Sequence, residues 1–206
     1  MDWMALIEFL RNARDVEIMN ARREEIAAFL PKIRIMFGFD QKHTAHPYDL
    51  WMHTLRVVAE LPRGVEDDML YLGALLHDIG KPSTQCAGHG QDANMRYPEH
   101  PSVSARIVQD EVLPELEKKG IQLADTEKHR LLYYVEHHDD MVDFDITYLK
   151  HQKEFGAENF KMFQNLMYLE VADALAHAQL PFVVRRVEVC GALAGERGEK
   201  LWEGME

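Results

Sequence analysis

Four residues in the middle of the chain have side chains suited to binding a divalent metal ion. His77 and Asp78 are adjacent, so that they offer an imidazole nitrogen and a carboxylate oxygen together. His53 lies upstream in an apolar segment, and Asp173 lies downstream among alanine, valine and leucine residues. A carboxylate in such surroundings is costly to bury unless it is paired or binds a cation. The four residues therefore predict a metal site.

The residues around these ligands indicate phosphoryl chemistry. A divalent ion held by imidazoles and carboxylates activates water and polarises a phosphoryl oxygen. Lys81 and Arg96 are close to the ligands in sequence, and we predict that they contact phosphate or its transition-state charge, with Asp78 at the reaction centre. Asp49 precedes His53 by four residues, one helical turn, and is predicted to orient the imidazole of His53 from behind.

Helices must position these groups, because apolar residues recur at steps of three and four through most of the sequence. Alternating runs typical of strands are missing from the sequence, so the pattern predicts an all-α fold. The predicted helices run over Trp3 to Arg11, Ala21 to Phe29, Pro47 to the residue before Pro62, Asp67 to His77, Pro101 to the residues before Gly120, Asp125 (as the cap) to His137, Ile146 to Lys153, Ala157 to Gln179 and Phe182 to Leu193, followed by a charged tail.

The stretch from Ser83 to Glu99 has no helical periodicity and contains two glycines, an asparagine and an aspartate. Long loops in compact domains are usually functional or disordered. We expect this segment to be a loop that covers the metal site.

Composition limits the class of protein and its partners. The 206 residues, 47% of them hydrophobic, predict one domain over 1–206, with its core at about 47–178 and with N-terminal helices (1–38) and a C-terminal helix (182–206) packed on it. A net charge of -12 argues against electrostatic binding of nucleic acid or an anionic membrane, so we expect a small phosphorylated partner.

The cysteines and the apolar runs indicate a cytoplasmic protein. Cys86 and Cys190 follow no metal-binding spacing, which is typical of a reducing compartment. The N-terminus carries acids where a signal peptide carries lysines, and no apolar run approaches the ~20 residues of a membrane span.

The order of a histidine, a His-Asp pair and a distant aspartate, each on its own helix, resembles the HD-domain superfamily of metal-dependent phosphohydrolases. The resemblance covers about Pro47 to Ala178 and includes the segment Leu75-Leu76-His77-Asp78-Ile79-Gly80-Lys81-Pro82. Within the superfamily the sequence is most similar to the HD domain of bacterial tRNA nucleotidyltransferases, through His46-Pro47, Asp49 to Leu55, and Arg96-Tyr97 shortly before His100 and Ser104. No nucleotidyltransferase head precedes it, so the resemblance implies a stand-alone HD protein with a single compact helical bundle.

The resemblance also implies a ligand set. His53, His77, Asp78 and Asp173 correspond to the ligands of a first ion, and His100 and His137 match the extra histidines of two-metal relatives, in which Asp78 would bridge the ions. His138 is an alternative to His137, since a shift of one residue exchanges them. His46 is a further candidate near the ligands, whereas the remaining histidines, including His177, are predicted to lie at the surface or behind the ligands.

The expected function is metal-dependent hydrolysis of a phosphate monoester or cyclic phosphodiester in a nucleotide or similar small metabolite. One or two ions of Mn, Fe, Co, Ni, Zn or Mg would serve as cofactor. A di-iron oxygenase and a non-catalytic, metal-containing nucleotide sensor are the alternatives. The sequence leaves the substrate, the metal and the oligomeric state open.

Overall fold

The computed structural model describes residues 1–88 and 94–204, and most of them are helical. A 3-10 segment at Pro31–Met36 and a π-helical segment at Val108–Val112 interrupt the regular helices. Two short strands pair antiparallel, with Cys86 opposite Arg96. This helical architecture confirms the all-α prediction. The elements are α1 (Trp3–Asn12), α2 (Val16–Ala21), α3 (Arg23–Phe29), α4 (Leu50–Glu60), α5 (Asp68–Leu76), α6 (Lys81–Thr84), β1 (Cys86–Ala87), β2 (Met95–Arg96), α7 (His100–Ile107), α8 (Leu113–Lys118), α9 (Asp125–His137), α10 (Ile146–Glu154), α11 (Phe160–Leu175), α12 (Pro181–Leu193) and α13 (Glu196–Glu203).

Helix α5 is the central element of the fold. Its residues from Met69 to Leu76 are all buried, as expected for a helix that is apolar on every side. It packs against α1, α4, α9 and α11. Gly73 permits the close approach of α9, because a Cβ there would lie 3.1 Å from Cβ of Tyr134. The C-terminal end of α5 therefore delivers His77 and Asp78 to the interior.

The other helices bring their ends to the same region. Helix α11 packs against α4 and α12, while α7 packs against α6 and α9. As a result, the C-terminal ends of α5, α9 and α11 and the first residue of α7 surround one buried polar cluster, described below.

Several helix boundaries differ from the predictions, among them the start of α4 at Leu50, the end of α11 at Leu175 and the break between α7 and α8. The predicted helix over Ala21 to Phe29 is split at Arg22, between α2 and α3. Helix α11 begins at Phe160 because the side chain of Asn159 accepts a hydrogen bond from the Met162 amide at 3.0 Å. Asp125 is the first residue of α9 and not its cap.

The prediction of a loop from Ser83 to Glu99 was wrong for part of that segment. Ser83 belongs to α6, and β1 and β2 form a small hairpin, tied to the preceding part of the chain by a hydrogen bond from the Met95 amide to the Lys42 carbonyl at 2.8 Å. Residues 89–93 of the predicted loop lie outside the described residues. Strands of two residues show no sequence periodicity, so the pattern could not reveal them.

The charged C-terminal tail also contains a helix, α13. Its Trp202 is buried and stacks on Phe163 of α11, with ring centroids 5.3 Å apart. The segment therefore packs on the helical core. Among the described residues, no helix is both long enough and apolar enough to cross a membrane.

Candidate metal centre

The cluster at the centre of the fold contains two sets of converging ligand atoms. The first ligand group consists of His53, His77, Asp78 and Asp173, and the second ligand group consists of Asp78, His100 and His138. All six residues are buried. His53 lies within α4, Asp173 lies within α11, His100 begins α7, and His77 and His138 directly follow α5 and α9.

In the first ligand group, nitrogen and oxygen atoms face one another across a small gap. His53 Nε2 lies 3.0 Å from Asp173 Oδ1 and 3.5 Å from Asp78 Oδ2. His77 Nε2 lies 3.2 Å from Asp78 Oδ2 and 3.7 Å from Asp173 Oδ1. Two histidines and two carboxylates thus surround one point.

The second ligand group uses the other oxygen of the same aspartate. Asp78 Oδ1 lies 3.2 Å from His100 Nε2 and 3.4 Å from His138 Nε2. The two imidazole nitrogens are 3.3 Å apart. Each carboxylate oxygen of Asp78 therefore faces a different ligand group.

These separations fit metal coordination. Ligand atoms about 2.1 Å from an ion, with angles of about 90° to 109° between them, lie about 3.0 to 3.4 Å from one another. Within the described part of the chain, His53 Nε2, His77 Nε2, Asp78 Oδ1 and Asp173 Oδ1 are buried without a hydrogen-bond partner. Buried polar atoms that lack partners require an explanation. A divalent ion in each group would satisfy them.

Backbone carbonyls orient three of the imidazoles for this role. Nδ1 of His77, His100 and His138 lies 2.8 Å, 2.9 Å and 2.8 Å, respectively, from the carbonyl oxygen three residues earlier. A carbonyl oxygen can only accept, so Nδ1 carries a proton, and Nε2 is the atom that offers its lone pair when the ring is neutral. His77 and His138 follow helix ends, where the last carbonyls have no partner within the helix. The end of each of these helices therefore supplies the carbonyl group that orients the ligand.

The charges of the first ligand group also favour a cation. Burial opposes ionisation of Asp78, but Lys81 and His77 outweigh it and hold the pKa of Asp78 well below its usual range. Burial likewise opposes the ionisation of Asp173, yet His177 and His53 lower its pKa well below the usual value. Burial disfavours a charged His77 ring, but the two carboxylates outweigh burial and raise its pKa to about 10. The two ionised carboxylates therefore stabilise positive charge at this point, and a divalent ion would take the place of the proton on His77 Nε2.

The second ligand group contains an uncharged imidazole. Burial lowers the pKa of His138, although the nearby Asp78 carboxylate opposes that change. A neutral ring is the form that binds metal.

The structure corrects the assignment of His137. His138, the alternative, joins the second ligand group, whereas His137 Nδ1 pairs with Asp140 Oδ2 at 3.0 Å and its ring stacks on Phe155, centroids 5.0 Å apart. Consecutive residues near a helix end point about 100° apart. Only one of the two can therefore face the cluster.

Asp49 also differs from its predicted role. Its carboxylate caps α4 by accepting a hydrogen bond from the Met52 amide at 2.8 Å, and its backbone carbonyl accepts from the His53 amide at 2.9 Å. Asp49 thus starts the helix that carries His53, and its carboxylate is engaged by the backbone and not by the imidazole.

A third set of imidazoles, from His46 and His177, lies beside His53. One nitrogen from each of the three residues lies within 4.8 Å of the others. Burial is the main cause of the lowered pKa values of His46 and His177. His177 was predicted to lie at the surface or behind the ligands, and its position four residues after Asp173 was a usable signal for the latter, because that spacing repeats on one helix face.

The predicted basic residues lie at the site. Lys81 Nζ contacts Asp78 Oδ2 at 2.6 Å and donates to Gln41 Oε1 at 3.2 Å, and it is buried. Arg96 is exposed on β2. Both residues line a cavity of about 660 Å³ that reaches the ligand groups, together with Tyr97 and Cys86 of the hairpin region. Gln41 and Tyr97 were not identified from the sequence, since their contacts span long sequence separations.

The comparison with known protein families agrees with this geometry. A family model matches residues 45–178, more than half of the chain, and the matched segment contains both ligand groups. The model describes the HD domain, a family whose members are generally metal-dependent phosphohydrolases. The chain therefore belongs to the HD-domain family.

Proposed function

We propose that this chain is a two-ion phosphohydrolase that cleaves a phosphate monoester or a cyclic phosphodiester of a nucleotide or similar small metabolite. The observation that carries the proposal is the division of Asp78, whose Oδ2 faces the first ligand group and whose Oδ1 faces the second. A bound pair of divalent ions supplies Lewis acidity, which activates water and offsets phosphoryl charge. The donor set, rich in imidazole, favours Mn, Fe, Co, Ni or Zn over Mg.

Lys81 supports phosphate binding from a position beside Asp78. Its ammonium group is held between Asp78 and Gln41, and the residue lines the cavity that the ligand groups share. Once cations neutralise Asp78, this ammonium group can donate hydrogen bonds to a phosphoryl oxygen. Arg96, at the rim of the same cavity, adds a second positive charge for the anionic substrate.

The cavity suits a small substrate with a flat or apolar part. Its volume of about 660 Å³ lies within the usual range for small-molecule sites. The ring of Tyr97 is fixed because its hydroxyl group donates to the Gln41 carbonyl and accepts from Gln85 Nε2 at 2.9 Å. A nucleoside base could pack on such a surface. The net charge of -12 makes a polynucleotide a less suitable substrate than a single nucleotide.

The test is a hydrolysis panel on protein reloaded with Mn²⁺, Co²⁺ or Ni²⁺ after chelation. The panel contains nucleoside 5'- and 3'-monophosphates and nucleoside 2',3'-cyclic phosphates, the last chosen because of the resemblance to the tRNA nucleotidyltransferase HD domain. We expect release that chelation abolishes and that Asp78→Asn reduces by at least ~100-fold, because this change removes a ligand of both groups. Asp110→Asn, at an exposed position on the π-helical segment, is the matched control.

An absence of cleavage across the panel, with both ions bound, would refute the proposal. Oxygen consumption by the iron-loaded protein would then favour the di-iron oxygenase. Binding of a nucleotide without cleavage or oxygen consumption would favour the sensor.

A further inference from the structure

A partly buried ion-pair network connects the end of α9 to α12, which lies beyond the segment matched by the HD family model. Arg186 of α12 donates from Nη2 to the His138 carbonyl oxygen at 2.8 Å and from Nη1 to Asp139 Oδ1 at 2.9 Å. The same guanidinium group contacts Glu170 Oε2 on α11 through Nε at 3.1 Å and Nη2 at 2.9 Å. The side chain of Arg186 thus connects three parts of the fold: the end of α9, Asp139 and α11.

The partners of Arg186 make this contact a strong one. Glu170 is fully buried, with 0% of its surface exposed, and a buried carboxylate requires a charged or hydrogen-bonding partner. Burial opposes the charge of Arg186, but Glu170 and Asp139 outweigh burial and raise its pKa. Burial raises the pKa of Glu170 to about 8, even though Arg186 opposes that change. The guanidinium group is therefore charged and uses its planar fork of donors on several acceptors at once.

The contact with the His138 carbonyl bears directly on the second ligand group. His138 is the C-cap residue of α9, where the final carbonyls have no partners within the helix and helices tend to fray. Its ring is oriented by the Val135 carbonyl of the same last turn. Any movement of this turn would therefore move His138 Nε2 relative to Asp78. A cation that binds the last carbonyl stabilises the turn.

Asp139 provides a second link to the same ligand group. Its Oδ1 is bound by Arg186, while its Oδ2 lies 3.9 Å from His100 Nε2. Arg186 thus fixes a carboxylate at the edge of the ligands and offsets its charge.

We propose that Arg186 is a positioning residue for the second ligand group. It holds the end of α9 so that His138 Nε2 stays close enough to Asp78 Oδ1 and His100 Nε2 to share one ion with them. This inference rests on the proposed two-ion function. It assigns a role in metal binding to α12, a helix outside the matched HD segment.

The test measures metal content and affinity, and not only activity. Arg186→Met alone would leave Glu170 buried and unpaired, so the main variant combines Arg186→Met with Glu170→Gln, which removes both charges. After dialysis against Co²⁺, we expect the wild-type protein to hold two ions per chain and the double variant to hold one. Affinity for the second ion should fall at least ~10-fold, as for other changes behind metal ligands. Arg185→Met is the matched control, since Arg185 is 62% exposed and pairs with the equally exposed Glu188.

Three outcomes would contradict these proposals. A folded double variant that binds the second ion with wild-type affinity would overturn the inference. If the double variant does not fold, Arg186→Lys replaces it, because lysine keeps the charge but lacks the fork that reaches several acceptors. An unchanged affinity for the second ion in Arg186→Lys would again overturn the inference. A wild-type protein that binds fewer than two ions would refute the two-ion function itself, before any variant is compared.

Discussion

Replacement of Gly80 by alanine should disturb the metal centre through the backbone alone. Gly80 is the N-cap residue of α6, two residues after the ligand Asp78, and its amide donates to Ser104 Oγ of α7 at 2.9 Å. A Cβ at this position would lie 2.7 Å from the His100 carbonyl oxygen and 2.7 Å from the Ser104 amide nitrogen. Both are backbone atoms, so no side-chain rotation can relieve the contact.

The magnitude follows from these distances. An ordinary carbon contact is ~3.5 Å or longer, so α6 and α7 must separate by roughly half an ångström or more. Overpacking of this kind costs about 1 to 3 kcal/mol, which lowers the unfolding temperature of a chain of this size by about 2 to 12 °C. The same displacement moves His100 away from Asp78, whose Oδ1 now lies 3.2 Å from His100 Nε2. Coordination distances tolerate only ~0.2 Å of error, so the second ion should bind more weakly.

The assay combines thermal unfolding of the metal-free protein with the metal content after dialysis against Co²⁺. Gly191→Ala is the control, because Gly191 lies in α12 with no atom within 4 Å of its added Cβ. This control should stabilise the helix by up to about 1 kcal/mol and leave the metal content unchanged. A Gly80→Ala protein with wild-type stability and two ions would refute the argument that close approach of α7 requires glycine here.

Three further predictions follow from individual contacts. His138→Ala should reduce the metal content from two ions to one, whereas His137→Ala should leave it unchanged, and equal losses in the two variants would contradict the observed register. Trp202→Ala should lower the free energy of unfolding by about 3 to 5 kcal/mol in urea denaturation, since this buried ring packs α13 onto the core. Asp49→Ala should lower the free energy of unfolding by about 1 kcal/mol through loss of the helix cap, and the folded variant should keep its metal content. Loss of an ion would instead support a direct role of Asp49 beside His53.

The sequence revealed much of the fold because its strongest signals are local. The apolar residues of α5 and the His-Asp pair that follows them could be recognised without any tertiary information. The ends of helices were less predictable, because a shift of one residue turns a side chain by about 100°. For this reason the sequence did not distinguish His137 from His138, although it did identify both as candidates.

Residues whose roles depend on distant partners could not be identified from the sequence. Arg186 meets His138 across 48 positions, and Gln41 meets Lys81 across 40. A single arginine or glutamine at such a position has the composition of an ordinary surface residue. The predicted C-terminal helix over 182–206 consists of α12 and α13, and the sequence did not show α13 as a separate helix, since its charged residues dominate the local pattern and its burial depends on contact with α11.

The arrangement of helix ends explains why cations and phosphate should bind to different sides of this centre. Helices α5, α9 and α11 all end at the ligand groups, and each C-terminal end carries a partial negative charge of about half an elementary charge. Together with Asp78 and Asp173, these ends create a potential that attracts divalent cations and repels phosphate. Helix α7 has the opposite orientation, because it begins at the cavity with His100, and its positive end lies there with Lys81. An anionic substrate should therefore approach from the side of α7 and Lys81, and its binding should depend on prior neutralisation of the carboxylates by the ions.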